Sequence, residues 1–152
     1  MRCAGTILIL AIFYVNSFIQ DARACSCVPL QKRLFYCNAE FAVKAKVVNE
    51  QRWPFPRDIR VYMIKTGGGK LLRTLKGNFT NVDLTKVYTQ SKSSTCGITL
   101  EQDKVYLLTG HIDASKCPHR LSIVLCDWIQ TWRTLSRTEK TFVTKGYLNG
   151  CP

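Results

Sequence analysis

The chain has 152 residues, 46% of them hydrophobic and 21% charged, and 22 lysines and arginines against 10 aspartates and glutamates give a net charge of +12. That composition excludes a disordered or low-complexity chain, and the length suits one domain with its own core. Eight cysteines and only two histidines, His111 and His119, favour a disulfide framework over a metal cluster or a histidine-based catalytic site.

In chain order, Arg2 precedes an apolar stretch from Ala4 to Val15, and polar Gln20-Asp21 leads into Ala22-Arg23-Ala24. This pattern predicts a signal peptide over residues 1–24, cut after Ala24, so that Cys25 begins a secreted domain of residues 25–152. Asn16, Ser17, Asp21 and Arg23 interrupt the run before the roughly 20 apolar residues that a membrane span requires. Ala22 and Arg23 also fit a bacterial lipoprotein signal poorly, which argues against acylation of Cys25.

Phe41, Val43, Ala45 and Val47 alternate with Lys44 and Lys46, predicting a half-buried strand over Phe41 to Val48. Gln51 to Arg57, with Pro54 and Pro56, reads as a loop. Ile59, Val61 and Met63 alternate with Arg60 and Tyr62 in a second strand, which Gly67-Gly68-Gly69 breaks and Leu71 to Leu75 resumes. Further strands are expected at Val82 to Thr89, Lys104 to Thr109 and Leu121 to Leu125. Trp128, Trp132 and Leu135 then fall at helical spacing, with Thr131 as a candidate N-cap. Five short strands and a C-terminal helix predict a mainly β fold that closes as a small barrel or sandwich, the barrel being preferred.

Other signals are plainer. Thr66-Gly67-Gly68-Gly69-Lys70 is no phosphate loop, because Ile64 stands where the first glycine belongs and Leu71 replaces Ser or Thr. Asn78-Phe79-Thr80 is a glycosylation sequon in a surface loop. His111 and His119 are expected at the surface, and Trp128 and Trp132 in packing roles. Once Cys3 leaves with the signal, Cys25, Cys27, Cys37, Cys96, Cys117, Cys126 and Cys151 remain, and spacing alone does not choose their pairing.

Taken together, the motifs resemble a known family. Cys25-Ser26-Cys27-Val28-Pro29, followed after nine residues by Cys37 within Phe35-Tyr36-Cys37-Asn38-Ala39, resembles the start of tissue inhibitors of metalloproteinases. The likeness continues through Val43-Lys44-Ala45-Lys46-Val47, Ser94-Thr95-Cys96-Gly97, Val105-Tyr106-Leu107, Leu125-Cys126-Asp127-Trp128-Ile129 and Tyr147-Leu148-Asn149-Gly150-Cys151. The resemblance implies a five-stranded OB-type closed barrel with flanking helices, and disulfides Cys25–Cys96, Cys27–Cys126 and Cys37–Cys151. It leaves Cys117 without a counterpart: free, paired between chains, or an alternative partner for Cys27. With the sequence ending at Pro152, the expectation is the inhibitory domain alone, without the second domain of vertebrate members.

The resemblance also implies a mechanism. Cys25 would offer its backbone nitrogen and carbonyl oxygen to the zinc of a target protease, with Ser26 entering the main specificity pocket. Cys27, Val28 and Pro29 would run along the cleft, and Ser94 and Thr95 would fill neighbouring subsites. Such a protein is an inhibitor and not an enzyme, with no cofactor of its own, and the sequence holds no His-Glu-x-x-His or Gly-x-Ser-x-Gly set. Its partners would be secreted or cell-surface zinc metalloproteinases, and its basic charge would suit acidic matrix polysaccharide, with no nucleic acid and no membrane insertion. The alternative is a secreted netrin-type module that binds matrix, heparan sulfate or a secreted factor without inhibiting proteases.

Overall fold

The computed structural model describes residues 25–28, 31–53, 58–66, 73–92, 95–146 and 151. The expected signal peptide, the triple glycine, Pro29 and Ser94 lie outside the described residues.

Among the described residues, seven strands form one sheet: β1 (Phe41–Trp53), β2 (Ile59–Lys65), β3 (Arg73–Lys76), β4 (Val82–Gln90), β5 (Val105–Asp113), β6 (His119–Ser122) and β7 (Gln130–Thr131). Five of them close a barrel, in the circuit β1-β2-β4-β6-β5 and back to β1. Closure depends on the length of β1. Its first half pairs with β5 from Phe41 to Lys46, and its second half pairs with β2 from Lys46 to Trp53. A register shift between Val47 and Asn49 bends the strand where it changes partner. β4 and β6 run parallel, while β3 and β7 add edges to β1 and β5.

The alternation read in β1 fills the barrel. Phe41, Val43, Ala45 and Val47 are buried with Tyr62, Ile64, Val87, Tyr106, Leu108, Leu121 and Ile123. Burying a valine, leucine, isoleucine or phenylalanine there contributes roughly 1.5–3 kcal/mol. On β2 the barrel core takes Tyr62 and Ile64 rather than Val61. The Tyr62 hydroxyl stays satisfied there, accepting from the Leu100 N–H at 2.9 Å and donating to the Ile98 carbonyl at 3.3 Å.

A second layer covers the outer face. Ala42, Leu75 and Leu107 pack against Tyr36, Trp128, Leu135, Phe142 and Val143. Tyr36 belongs to α1 (Lys32–Asn38), a helix with no side-chain cap and no acid in its first turn, hence weakly signalled in the sequence. Tertiary groups hold it instead. The Tyr36 hydroxyl donates to the Val143 carbonyl at 3.1 Å, and its ring meets Phe142 edge-on at 5.4 Å. Lys76 Nζ donates to the carbonyls of Tyr36 and Cys37 at the end of the helix, at 2.9 and 2.6 Å.

The C-terminal helix starts later than the tryptophan spacing implies. Gln130 and Thr131 pair with Leu107 and Tyr106 as β7, and Trp132–Thr134 make a single 3-10 turn. The helix α2 (Arg137–Thr141) begins after Ser136, which accepts from the Glu139 N–H while Glu139 accepts from the Ser136 N–H. That capping box outweighs Thr131, whose side chain caps nothing. β1 likewise runs past Val48 to Trp53, because cross-strand pairing satisfies the backbone even where Asn49, Glu50 and Gln51 are polar. The strand expected over Leu121 to Leu125 is the shorter β6, and residues 124–127 turn instead.

Candidate functional site

Residues Cys25–Val28 form no helix or strand. In an extended segment, successive side chains point to opposite sides. Cys25 and Cys27 are accordingly half-buried, whereas Ser26 and Val28 are exposed, Val28 at 68%. The two inward cysteines bond to distant points: Cys25 to Cys96, 71 residues on, and Cys27 to Cys126, 99 residues on. A third bond joins Cys37 of α1 to Cys151. This is the pairing that the resemblance implies, and Cys117 is free and exposed. Crosslinks across loops of this size stabilise the fold by about 4 kcal/mol each, chiefly by restricting the unfolded chain.

The anchor at Cys96 is a tight turn. The N–H groups of Thr95 and Gly97 both donate to the Lys92 carbonyl, at 3.2 and 2.9 Å, and Cys96 takes a φ of +65°. Gly97 is required by space, since a Cβ there would fall on the Gln90 carbonyl. Behind the turn lies Arg60, only 6% exposed. Its guanidinium donates to the Ile98 carbonyl at 3.0 Å, Thr99 Oγ1 at 2.6 Å and the Ser91 carbonyl at 3.1 Å. Its Nε lies 3.0 Å from the Glu50 carboxylate. One buried cation thus fastens both flanks of the Thr95–Cys96 turn to β2.

The anchor at Cys126 is a second turn. Asp127 accepts the Val124 N–H at 2.7 Å on its carboxylate and donates its own N–H to the Val124 carbonyl at 3.0 Å. Burial pushes the Asp127 carboxyl above its ordinary range, against the pull of the Val124 N–H and of His111. Trp128 N–H then donates to Thr109 Oγ1 at 2.9 Å, rooting the turn on β5. The two anchors also touch each other, because the Leu125 N–H donates to the Cys96 carbonyl at 2.9 Å.

The result is a ridge that carries Ser26, Val28, Thr95 and Leu125 outward. Among the described residues, the large apolar side chains left exposed are Val28 and Leu125 (43%), and both are here. They flank a groove of about 320 Å³ that Phe35 and Trp128 also line. Two exposed apolar side chains thus gather at one groove. Of the residues singled out in the sequence, Cys25, Ser26, Cys27, Val28 and Thr95 come together, while Pro29 and Ser94 lie outside the described residues. Leu125 was hidden in the sequence as the end of an expected strand, and only the Cys27–Cys126 bond shows its place. Arg60 gave no signal beyond its position in an alternating run.

Other expected features fall elsewhere. Asn78 is exposed, and its Oδ1 accepts from Thr80 Oγ1 at 2.8 Å. His111 is exposed on β5 and His119 half-buried on β6. Among the described residues no three His, Cys, Asp or Glu side chains cluster so as to hold a metal ion, and no helix is long and apolar enough to cross a membrane.

Comparison with known proteins bears on the same span. The family model described as "Tissue inhibitor of metalloproteinase" matches residues 23–152. "Metalloproteinase inhibitor 2" of Homo sapiens is 31% identical over 146 residues, covering 95% of this chain and 65% of the relative. The protein of that name in Cricetulus longicaudatus is 33% identical over 131 residues, covering 85% of this chain and 65% of its own length. "Metalloproteinase inhibitor 3" of Gallus gallus is 28% identical over 146 residues, or 93% of this chain and again 65% of the relative. The chain therefore spans just under two thirds of these relatives.

Proposed function

The chain belongs to the tissue inhibitor of metalloproteinase family, and from that premise we propose that it is a secreted inhibitor of zinc metalloproteinases that acts through its processed N-terminus. The observation that supports this most is the ridge. An exposed segment opening at Cys25 is fixed by two disulfides to two interlocked turns, so little ordering entropy remains to be lost when a cleft closes on it.

In this reading a signal peptide of residues 1–24 is removed, and Cys25 carries a free α-amine beside its own carbonyl. A protease zinc keeps one coordination position open. The Cys25 amine and carbonyl oxygen would chelate that zinc together, displacing its water and taking it from four to five ligands, while Ser26 would enter the specificity pocket and Cys27, Val28 and Pro29 would continue along the cleft. Ser94 and Thr95 flank them. With the attacking water displaced, the Cys25–Ser26 bond beside the metal would not be cut, so the complex persists and the protein is an inhibitor and not an enzyme. An α-amine with a pKa of about 7.7–8.0 must lose its proton to ligate, so inhibition weakens as pH falls below that range, after correction for the enzyme's own titration.

N-terminal sequencing of the exported protein, paired with inhibition of a matrix metalloproteinase catalytic domain, tests the reading. The form beginning at Cys25 inhibits, whereas a form that keeps Ala24 folds equally well and does not, because an amide nitrogen is a poor ligand. Equal potency of the two forms rejects the mechanism, and no inhibition by either form leaves a netrin-type binding module. The net charge of +11 on residues 25–152 supports a further attachment to acidic matrix polysaccharide outside the cell, and exposed Asn78 supports a glycan there.

A further inference from the structure

Away from the ridge, a cavity of about 610 Å³ opens between β1, β5 and the 3-10 turn, walled by Lys44, Lys104, Val105, Trp132 and Arg133. Lys44 is the anomaly in it. On β1 it sits across from Arg73 of β3 and Leu107 of β5, and it is only 6% exposed. Its Nζ lies 4.2 Å from the centre of the Trp132 ring. Among the described residues it meets no carboxylate or carbonyl. Burial lowers its pKa, and its charged neighbours Arg73 and Lys140 lower it further.

Most of the other polar groups of the cavity are already engaged. Lys104 pairs with Glu101, and the Thr134 hydroxyl bonds Thr131 and Gln130. Arg133 is exposed at the edge. The Lys44 stem is buried while its ammonium opens to the cavity, where the like charges of Arg73 and Lys140 are unfavourable and an anion would relieve them. The indole face offsets part of that cost. The remainder points to an occupant.

We propose that this cavity binds a small organic anion with an apolar body, its carboxylate, sulfate or sulfonate set against Lys44 and its hydrocarbon lying along Trp132 and Val105. The complementarity is of charge at one end and of apolar surface at the other, as in small-molecule sites generally. A bare inorganic anion leaves the apolar walls uncovered. A sulfated polysaccharide follows rows of exposed lysines and does not reach a recessed one.

Fluorescence titration of the processed protein with 1-anilinonaphthalene-8-sulfonate, at physiological salt, tests the site. One saturable site is expected, with N-phenyl-1-naphthylamine, the same body without the sulfonate, binding at least about tenfold more weakly. Lys44→Met is expected to weaken the sulfonate at least about tenfold while raising the melting temperature, because it removes a cation crowded by like charge and keeps the stem. Trp132→Leu tests the same pocket from its other wall if Lys44→Met is not recovered folded, and Lys65→Met is the control that leaves binding intact. No saturable binding, equal binding of the neutral analogue, or full affinity in either pocket variant overturns the proposal. So does competition by inorganic sulfate or by heparin as effective as that of the naphthalene probe.

Discussion

The barrel interior and the ridge are held by opposite means. Phe41, Val43, Tyr62, Leu108 and Leu121 are fully buried, and their position follows from packing alone. Ser26, Val28, Thr95 and Leu125 are exposed and have almost no packing, yet two disulfides and a network of turn hydrogen bonds fix them. A surface that must meet a partner cannot be immobilised by burial, because burial would hide it. Crosslinks and polar supports such as buried Arg60 and half-buried Asp127 take over that task. Stability and recognition should therefore be separable by mutation.

The largest separation is expected from a single added residue. Retaining Ala24 should weaken protease inhibition by roughly three orders of magnitude, the equivalent of about 4 kcal/mol, with no change in melting temperature. Leu108→Ala should do the reverse. Deleting that side chain from the barrel should cost about 2–5 kcal/mol in chemical denaturation, while the inhibition constant per folded molecule stays the same. A shift in both quantities for either variant would break the division between the two regions.

Arg60→Met should fall between them, because Arg60 lies in the barrel wall but serves the ridge. Leaving the Ser91 carbonyl and Thr99 Oγ1 without the Arg60 donor, and the Ile98 carbonyl with Tyr62 alone, should cost about 1–3 kcal/mol and loosen the Thr95–Cys96 turn. Inhibition should weaken severalfold, and amide exchange should quicken at residues 95–99 more than in β5. Uniform exchange across both would make Arg60 a packing residue only.

The smallest effect concerns Asp127. Its carboxyl is raised in the folded state, so it favours folding below the unfolded pKa of about 3.9, and that contribution is lost as pH rises through the folded value. The stability of the native protein minus that of Asp127→Asn should thus fall with rising pH from about 4 upward. A difference that stays flat across that window in thermal unfolding would contradict the assignment.

How much of this was legible in the sequence follows the same division. Strand β1 announced itself because a half-buried strand imposes a period of two on its side chains. The cysteines announced a framework, and the family likeness supplied a pairing that spacing could not. Helix α1 gave no signal, since its seven residues lack a cap and depend on Val143, Phe142 and Lys76 from distant parts of the chain. Arg60 and Lys44 sat in alternating runs where a charged residue normally faces water. Only the closed barrel and the covering Trp132 bury them. Leu125 looked like the end of a strand until a disulfide 99 residues long placed it beside Val28.

The central claim is that the Cys25 amine ligates a partner's metal. It can be read directly by replacing the zinc of a metalloproteinase catalytic domain with cobalt(II) and recording visible absorption as inhibitor is added. The account predicts that the cobalt bands change in proportion to complex formed with the protein beginning at Cys25, and stay as in the free enzyme with the form that keeps Ala24. Free-enzyme bands persisting in a fully inhibited complex would contradict it.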